Sequence, residues 1–345
     1  MKIGITFDLK QSGHTDPALP DDAQEEFDSP HTIEAIAAVL RGMGHQVVLL
    51  GDGREFLQKV LAEPPDFVFN FAEGTGVSRS REARVPAVLE MLGIPYTGSD
   101  PLTLAVTLDK DCAKRLVHST GVHVPPSLLV GPGDRSVLER AAQLTYPVVV
   151  KPAWEGSSKG IRNRCLVHSA DELPAVLDDL QRDQRQPILV EEYIDGDEVT
   201  VGVYGNEPHS PSPLAGEGRG GGVKILGIMR VVPQFPVEKF IYSLEIKRDY
   251  RKLVKYECPA PLPEKTVAAI RQATVLSYRA LGCRDISRVD FRVRQGVPYF
   301  LEVNPLPGLN PDDSDLVIMA GLIGWSYERL VTTIVNAALE RCGLR

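Results

Sequence analysis

The sequence has few cysteines, no long apolar run and no excess of positive charge. Its five cysteines are widely spaced and form no CxxC pair, so neither a disulfide framework nor a zinc site is predicted; they are Cys112, Cys165, Cys258, Cys283 and Cys342. No apolar run is long enough to cross a bilayer, and the opening MKIGITFDLK lacks the core of a signal peptide. These absences favour a cytoplasmic protein with free thiols.

The charge balance argues against a broad nucleic-acid surface. Asp and Glu number 46 against 38 Lys and Arg, which gives a formal net charge of −8. A local phosphate site remains compatible with that balance. With 43% hydrophobic and 24% charged residues, the composition is that of a globular protein, and 345 residues suit two or three domains.

The first hundred residues alternate strand and helix patterns, which predicts an α/β unit with an open parallel sheet, Rossmann-like, over residues 1–100. Such sheets bind ligands at the carboxyl ends of their strands. The polar stretch 9–30 follows the first strand and should cross that edge. It is interpreted either as a lid or substrate loop or as a disordered segment.

Two further units are predicted, over residues 101–190 and 191–345. In the last unit strands and helices alternate less strictly, which indicates α+β organisation. Residues 206–222 are rich in Gly, Pro and Ser without periodicity, and we interpret them as a flexible insertion in a hairpin.

The segment RVDFRVRQGVPYFLEVN reads as an apolar β-hairpin that carries Asp290, Glu302 and Asn304. Three oxygen ligands suit Mg²⁺. A two-residue loop at Gln295-Gly296 alone would place the two carboxylates on opposite faces. A three-residue loop centred on Gly296, or a bulge, would set Asp290 opposite Glu302 with Asn304 on the same face, and this arrangement is predicted.

A second group of residues could hold phosphates. Lys151 ends the apolar strand VVVKPA and precedes the loop 155–160, where backbone N–H groups could converge on an anion. The spacing is not that of a P-loop, and such a loop is also common as a simple turn. Downstream, Glu191, Glu192 and Glu198 could accept adenine and ribose hydrogen bonds or be solvated.

Taken in order, these segments resemble the ATP-grasp fold and most closely the D-alanine–D-alanine ligases. The resemblance is carried by PYTGSDPLTLAVTLDKDCAKRL, VVVKPAWEGSSKGI, ILVEEYIDGDEVTV, YECPAPL and RVDF followed by YFLEVNPLPGL. It is clear from about residue 95 onward and looser before that. In that family, ATP phosphorylates one amino acid's carboxylate, and the amine of a second attacks the acyl phosphate.

The resemblance implies roles for individual residues. It implies a nucleotide site made of Lys110, Lys151, Glu155, Ser157, Ser158, Glu191, Glu192, Tyr193, Ile194, Glu198, Lys247 and Leu301. It implies that Asp290, Glu302 and Asn304 hold two Mg²⁺ ions, with Mn²⁺ as an alternative. It also implies catalytic roles for Arg288, the Gly308 backbone N–H, Ser157 and Lys247, with Arg288 and Gly308 stabilising the tetrahedral intermediate.

The departures from the family lie where the amino acids bind. Glu26 or Asp28 is the nearest candidate for the first substrate's ammonium, and Ser314 for the second carboxylate. The family's His-Gly and Glu-Asp-Gly pieces are replaced by residues 72–74 and 81–83, and Arg248 replaces a tyrosine. Nucleotide residues are therefore retained and amino-acid residues rewritten.

Three functions are considered on these grounds. The first is an ATP- and Mg²⁺-dependent carboxylate–amine ligase with D-alanyl-D-alanine, a peptidoglycan precursor, as one product. The second is the same chemistry on other amino acids or a small peptide, with Arg81, Lys159 and Arg248 selecting extra negative charge. The third is an inactive nucleotide-binding regulator. Small-molecule substrates are expected, without nucleic-acid or membrane partners, and a homodimer is one assembly considered.

Overall fold

The computed structural model describes residues 1–10, 20–134, 136–141, 143–207 and 222–345. Most of the predicted insertion at 206–222, and part of the loop at 9–30, lie outside these described residues. Within the described ranges, no helix is long and apolar enough to cross a membrane.

The first unit contains a parallel sheet of the order β2-β1-β3, as predicted. Its elements are β1 (Lys2–Phe7), α1 (Pro30–Gly42), β2 (Gln46–Gly51), α2 (Gly53–Ala62), β3 (Phe67–Phe71) and α3 (Arg84–Leu92). Helix α1 begins where Ser29 accepts a hydrogen bond from the Thr32 backbone N–H, with Pro30 in the first turn. Its apolar side faces the sheet core through Ile33, Ile36 and Leu40.

The second unit contains an antiparallel sheet of the order β4-β7-β5-β6. Its elements are α4 (Pro101–Leu108), α5 (Lys110–His118), β4 (Ser127–Val130), α6 (Val137–Ala141), β5 (Val148–Pro152), β6 (Leu166–Val167), α7 (Leu173–Gln184) and β7 (Ile188–Glu192). The pattern LDKDCAKRLVHSTG predicts a helix over 108–121, and α5 lies within that range. A further helix, α4, precedes it: Asp109 ends α4 in extended backbone and caps α5, because its side chain accepts the Cys112 N–H.

The third unit contains an antiparallel sheet of the order β10-β9-β8-β11-β12. Its elements are β8 (Asp197–Tyr204), β9 (Lys224–Pro233), α8 (Leu244–Arg248), α9 (Tyr250–Leu253), β10 (Val254–Glu257), α10 (Glu264–Ala280), β11 (Ile286–Arg294), β12 (Val297–Asn304), α11 (Asp315–Leu322) and α12 (Tyr327–Arg341). This is the α+β organisation expected from the sequence.

The hairpin of β11 and β12 has the predicted facing of its polar residues, and a bulge produces it. Asp290 pairs with Glu302, and Arg288 with Asn304, whereas Phe291 pairs with Phe300. Leu301 is therefore the extra residue. The turn itself is the two-residue Gln295-Gly296, with φ of +53° and +80°, so the three-residue alternative is wrong and the bulge is confirmed.

The last helix joins the first unit. Residues of α12 share one buried core with α1 and with strands β1 and β3. Asp285, fully buried, accepts from Arg341 at 2.8 Å and from the Gly98 N–H at 2.8 Å. Arg341 also donates to the Tyr96 carbonyl at 2.8 Å. The division at residues 100 and 190 stays a prediction, since the first and last segments pack as one body.

We expect Arg341→Met to lower the free energy of unfolding by about 3–5 kcal/mol, because it leaves the buried Asp285 carboxylate without its cation. Urea denaturation measures this. The matched control is Arg279→Met, which removes an exposed pair with Glu207 and should change stability by less than about 1 kcal/mol. Equal losses in the two variants would contradict the role given to Arg341.

Candidate active site

Two clefts meet at the hairpin of β11 and β12. The inter-sheet cleft, with about 820 Å³ of empty space, opens between the four-stranded and five-stranded sheets. The acidic cleft, with about 660 Å³, extends toward the first unit and is lined by Glu26, Asp28, Glu73 and Glu82, among others. Arg288 and Glu302 line both clefts. A group bound in one cleft can therefore reach a group bound in the other at these two side chains.

The predicted metal ligands lie together on one face of the hairpin. Asp290 accepts from Thr200 at 2.5 Å and from the Asn304 amide at 3.1 Å. Among the described residues, no group of three or more His, Cys, Asp or Glu side chains could hold a metal. The predicted ligands Asp290, Glu302 and Asn304 are two carboxylates and one amide, an arrangement that leaves coordination positions for phosphates and water.

Glu302 sits among lysines. Its carboxylate lies 3.0 Å from the Lys110 ammonium. Burial alone would raise the pKa of Glu302, but Lys110, Lys151 and Lys247 outweigh it and hold that pKa well below its usual range. Glu302 is therefore an anion throughout the physiological pH range.

Arg288 is held by two acids. Its guanidinium lies 3.0 Å from Asp290 and 3.4 Å from Asp315. Asp315 in turn accepts from the hydroxyls of Tyr242 and Tyr256, both at 3.3 Å. Asp315 was not predicted, although the acidic run DDSD after Gly308 was the available signal.

Two lysines lie beside Glu191 of β7: Lys151 of β5 and Lys114 of α5. Lys151 lies 2.5 Å and Lys114 lies 2.9 Å from the Glu191 carboxylate. Burial lowers the pKa of Lys114 to about 8, although Glu191 opposes this effect. Lys114 was missed because a lysine on a helix pattern gives no sign that it faces inward.

Arg292 organises the other wall of the inter-sheet cleft. It donates to Glu198 at 2.7 Å, to the Tyr193 hydroxyl at 2.7 Å and to the Ile194 carbonyl at 2.9 Å. Burial raises the pKa of Glu198, and Arg292 counteracts this. Sequence reasoning missed Arg292 because alternate arginines on a strand are commonly exposed.

The loop after β5 has unusual backbone geometry. Ser157 and Ser158 adopt φ of +48° and +58°, which is strained for residues with side chains. Ser158 donates to the Tyr242 carbonyl at 3.0 Å. Glu155, predicted to bind nucleotide, is buried and contacts Gln186 at 2.7 Å and Lys159 at 2.8 Å. Glu155 therefore fixes the base of the loop.

The remaining predicted nucleotide residues fall on both clefts. Lys110, Glu155 and Ser157 line the acidic cleft. The inter-sheet cleft is lined by Lys151, Ser158, Glu191, Glu192, Tyr193, Ile194, Glu198, Lys247 and Leu301. Burial and the neighbouring Arg288 lower the pKa of Lys247, whose ammonium lies 5.2 Å from the Tyr242 ring centre.

Of the predicted substrate residues, two line the acidic cleft and one supports a loop beside it. Glu26 and Asp28 line the acidic cleft. Both Glu26 oxygens accept from Arg81 at 2.8 Å, so this carboxylate is already paired. Ser314 accepts from the Asn310 N–H at 2.9 Å and lies directly beside Gly308. Ser314 thus supports the loop that carries Gly308.

The expectation that three cations select an acidic substrate is not supported by their contacts. Arg81, 2% exposed, is bound by Glu26 and Glu155, and Lys159 contacts the same two acids. Arg248 is 39% exposed and pairs with Asp21 and Glu25, each at 3.0 Å. All three charges are balanced by the protein itself, so none is left to select an anion.

Comparison with known proteins agrees with this architecture. Residues 116–336 match the family model described as the D-Ala-D-Ala ligase C-terminus. The D-alanine–D-alanine ligase of Aquifex aeolicus is 34% identical over 88% of this chain and 94% of its own. The chain belongs to the D-alanine–D-alanine ligase family. The ATP-grasp fold and ligase class predicted from the sequence are therefore confirmed.

Two further proteins are similar to this chain. An uncharacterized protein, y4sG, of Sinorhizobium fredii is 34% identical over 89% of this chain and 87% of its own. The structure of a Bacillus anthracis D-alanine–D-alanine ligase superposes with a TM-score of 0.74 at 24% identity, covering 99% of this chain and 98% of that one. This structural likeness bears on the fold alone.

In this ligase family member, Arg292→Met should lower the free energy of unfolding by about 3–5 kcal/mol, since Glu198 would stay buried without its partner. Adding Glu198→Gln to that variant should recover part of the loss, which denaturation of the single and double variants would measure. Arg294→Met, at the exposed end of the same strand, is the control and should be nearly neutral. Additive losses would exclude the coupling.

Proposed function

We propose that the protein is an ATP-dependent carboxylate–amine ligase that forms a peptide bond through an acyl phosphate. The observation that carries this proposal is the meeting of two clefts at Arg288 and Glu302. A nucleotide in one cleft and an amino acid in the other would bring a γ-phosphate and a carboxylate together there. Holding both in place converts a bimolecular step into an effectively unimolecular one.

The inter-sheet cleft supports the assignment of ATP. Its walls combine apolar side chains, among them Val149, Val231 and Leu301, with lysines at the end near Glu302. Apolar walls suit a purine ring, and ammonium groups suit phosphates. A crystal structure of the Bacillus anthracis ligase was determined as a complex with ATP. We infer that Lys151 and Lys247 contact phosphates in this chain.

The hairpin face fits Mg²⁺. Asp290, Glu302 and Asn304 offer hard oxygen atoms on one face. Bound there, Mg²⁺ would screen the negative charge of the phosphate oxygens during phosphoryl transfer. The number of ions and the use of Mn²⁺ instead stay predictions.

Arg288 supplies positive charge at the place where the two clefts meet. It is nine-tenths buried and lines both clefts, so its guanidinium can face an oxyanion that develops on the attacked carbonyl. The Gly308 N–H, which lines the acidic cleft, is proposed as the second donor. Asp315 and Asp290 hold Arg288 in position.

The direct test is release of ADP from Mg²⁺-ATP with a panel of paired amino acids, including D-alanine. Stimulation by amino acids, with formation of a dipeptide, would support the ligase. An inactive regulator would bind nucleotide without releasing ADP. A homodimer and a cytoplasmic location remain predictions, testable by light scattering and fractionation.

Glu302→Gln should nearly abolish amino-acid-dependent ADP release, because the amide keeps the shape but loses the charge that faces the lysines and the metal. Steady-state kinetics at saturating Mg²⁺ measures this. Glu264→Gln, at an exposed helix start, is the control and should retain full activity. Near-normal turnover in Glu302→Gln would refute the metal assignment.

Arg288→Lys should lower kcat by about 10²–10³-fold with a much smaller change in the KM for ATP, because the lysine keeps a charge but not the directed donors. Separate determination of kcat and KM checks this. A change confined to KM would mean that Arg288 serves binding only.

A further inference from the structure

The charges of the acidic cleft do not cancel. Arg81 and Lys159 are balanced by Glu26 and Glu155, and Lys110 is balanced by Glu302. Arg288 is occupied by Asp290 and Asp315. Three acids that line the cleft are left over, namely Asp28, Glu73 and Glu82. In the described part of the chain, no Lys, Arg or His side chain lies within ion-pair distance of any of the three.

Glu73 and Glu82 are brought together by the backbone. Gly74 has φ of +76°, and a Cβ there would lie 2.6 Å from the Arg81 carbonyl oxygen, so the two segments touch. Arg81 points away toward Glu26, which leaves Glu82, only 7% exposed, facing the cleft beside Glu73. The Glu82 carboxyl thus lies in the same cleft as that of another acid, Glu73. Two carboxyls without a cation are an incomplete site.

Their environment keeps these acids partly protonated. Burial, with the charge of Glu26 adding to it, raises the pKa of Glu82 to about 7, although Arg81 opposes the shift. Burial and the neighbouring Glu82 raise the pKa of Glu73 well above its usual value. Burial likewise raises the pKa of Asp28 to about 8. A ligand cation placed among them would favour their ionised forms.

We propose that the acidic cleft takes an amino acid, or a short peptide, with a basic side chain, whose ammonium or guanidinium is bound by Glu73 and Glu82. This proposal rests on the ligase function proposed above and names its substrate class. The carboxylate of that substrate would point toward Lys110 and Glu302, where the two clefts meet.

A neutral amino acid matches the cleft less well. Its single α-ammonium offers one positive charge to three unmatched carboxyls, whereas a basic amino acid offers two. Arg81, next to Glu82 in the chain, is paired with Glu26 and Glu155. In this part of the cleft, Glu73 and Glu82 are therefore available to the charge of a basic side chain.

The test compares lysine with norleucine, which has nearly the same shape but no side-chain charge, in both chiral forms. Ornithine, arginine, alanine and glutamate complete the panel, each supplied singly and in pairs with Mg²⁺-ATP. We expect kcat/KM for ADP release to be at least about tenfold higher with the best basic amino acid than with its neutral counterpart. Equal or higher values with norleucine, alanine or glutamate would overturn the proposal.

Glu82→Gln and Glu73→Gln should each reduce the preference for lysine over norleucine, chiefly by raising the KM for lysine. The activity with norleucine should change much less, which a merely structural role would not produce. Glu264→Gln is the control and should keep the full preference. Since the wild-type panel needs no variant, a variant that fails to fold leaves the test intact.

The two hypotheses fail in different ways. If neutral or acidic amino acids release ADP best, the ligase stands and the basic substrate is refuted. If no amino acid releases ADP, the ligase is refuted. Calorimetric titration of lysine and of norleucine into the protein loaded with a non-hydrolysable ATP analogue then tests whether the acidic cleft prefers a cation. Selective binding of lysine there would support the cation site, and equal or absent binding would overturn it.

Discussion

The pairing of Asp290 with Glu302 across the last hairpin is the constraint on which the site depends. The two-residue turn would place these side chains on opposite faces, and the extra residue Leu301 reverses that outcome. Because of the bulge, both carboxylates share a face with Arg288. The same face borders both clefts, so a one-residue difference in β12 determines whether the clefts share any chemistry at all.

Buried charge is the second organising principle. Where the two clefts meet, most cations pair with protein acids: Lys110 with Glu302, Arg292 with Glu198 and Lys151 with Glu191. Such pairs contribute little net stability compared with apolar packing, but breaking one is costly. They therefore fix side-chain positions before any ligand arrives. The carboxyls of Asp28, Glu73 and Glu82 in the acidic cleft differ from these pairs, because no cation among the described residues is paired with them.

The fold could be read from the sequence where local patterns are strong. The parallel first sheet and the main strands of the other two sheets follow from hydrophobic period. The facing of Asp290 and Glu302 was predicted from the suitability of both carboxylates as ligands of one metal site. What could not be read were contacts between distant segments. Neither the inward turn of Lys114 and Arg292 nor the capture of Arg81 by Glu26 has a local signal, since each depends on how separate sheets approach. The opposite interpretation of Arg81, as a selector of anions, arose for that reason.

The shared core of α1 and α12 also bears on how the chain is made. The hydrophobic face of the first sheet is completed by side chains near the C-terminus, among them Leu330, Ile334 and Ala338. During synthesis these residues emerge from the ribosome after the other described helices and strands, so the first sheet cannot bury that face until α12 has been made. The first unit would thus expose an apolar sheet surface while the second and third units are being made, the condition under which chaperones capture a growing chain.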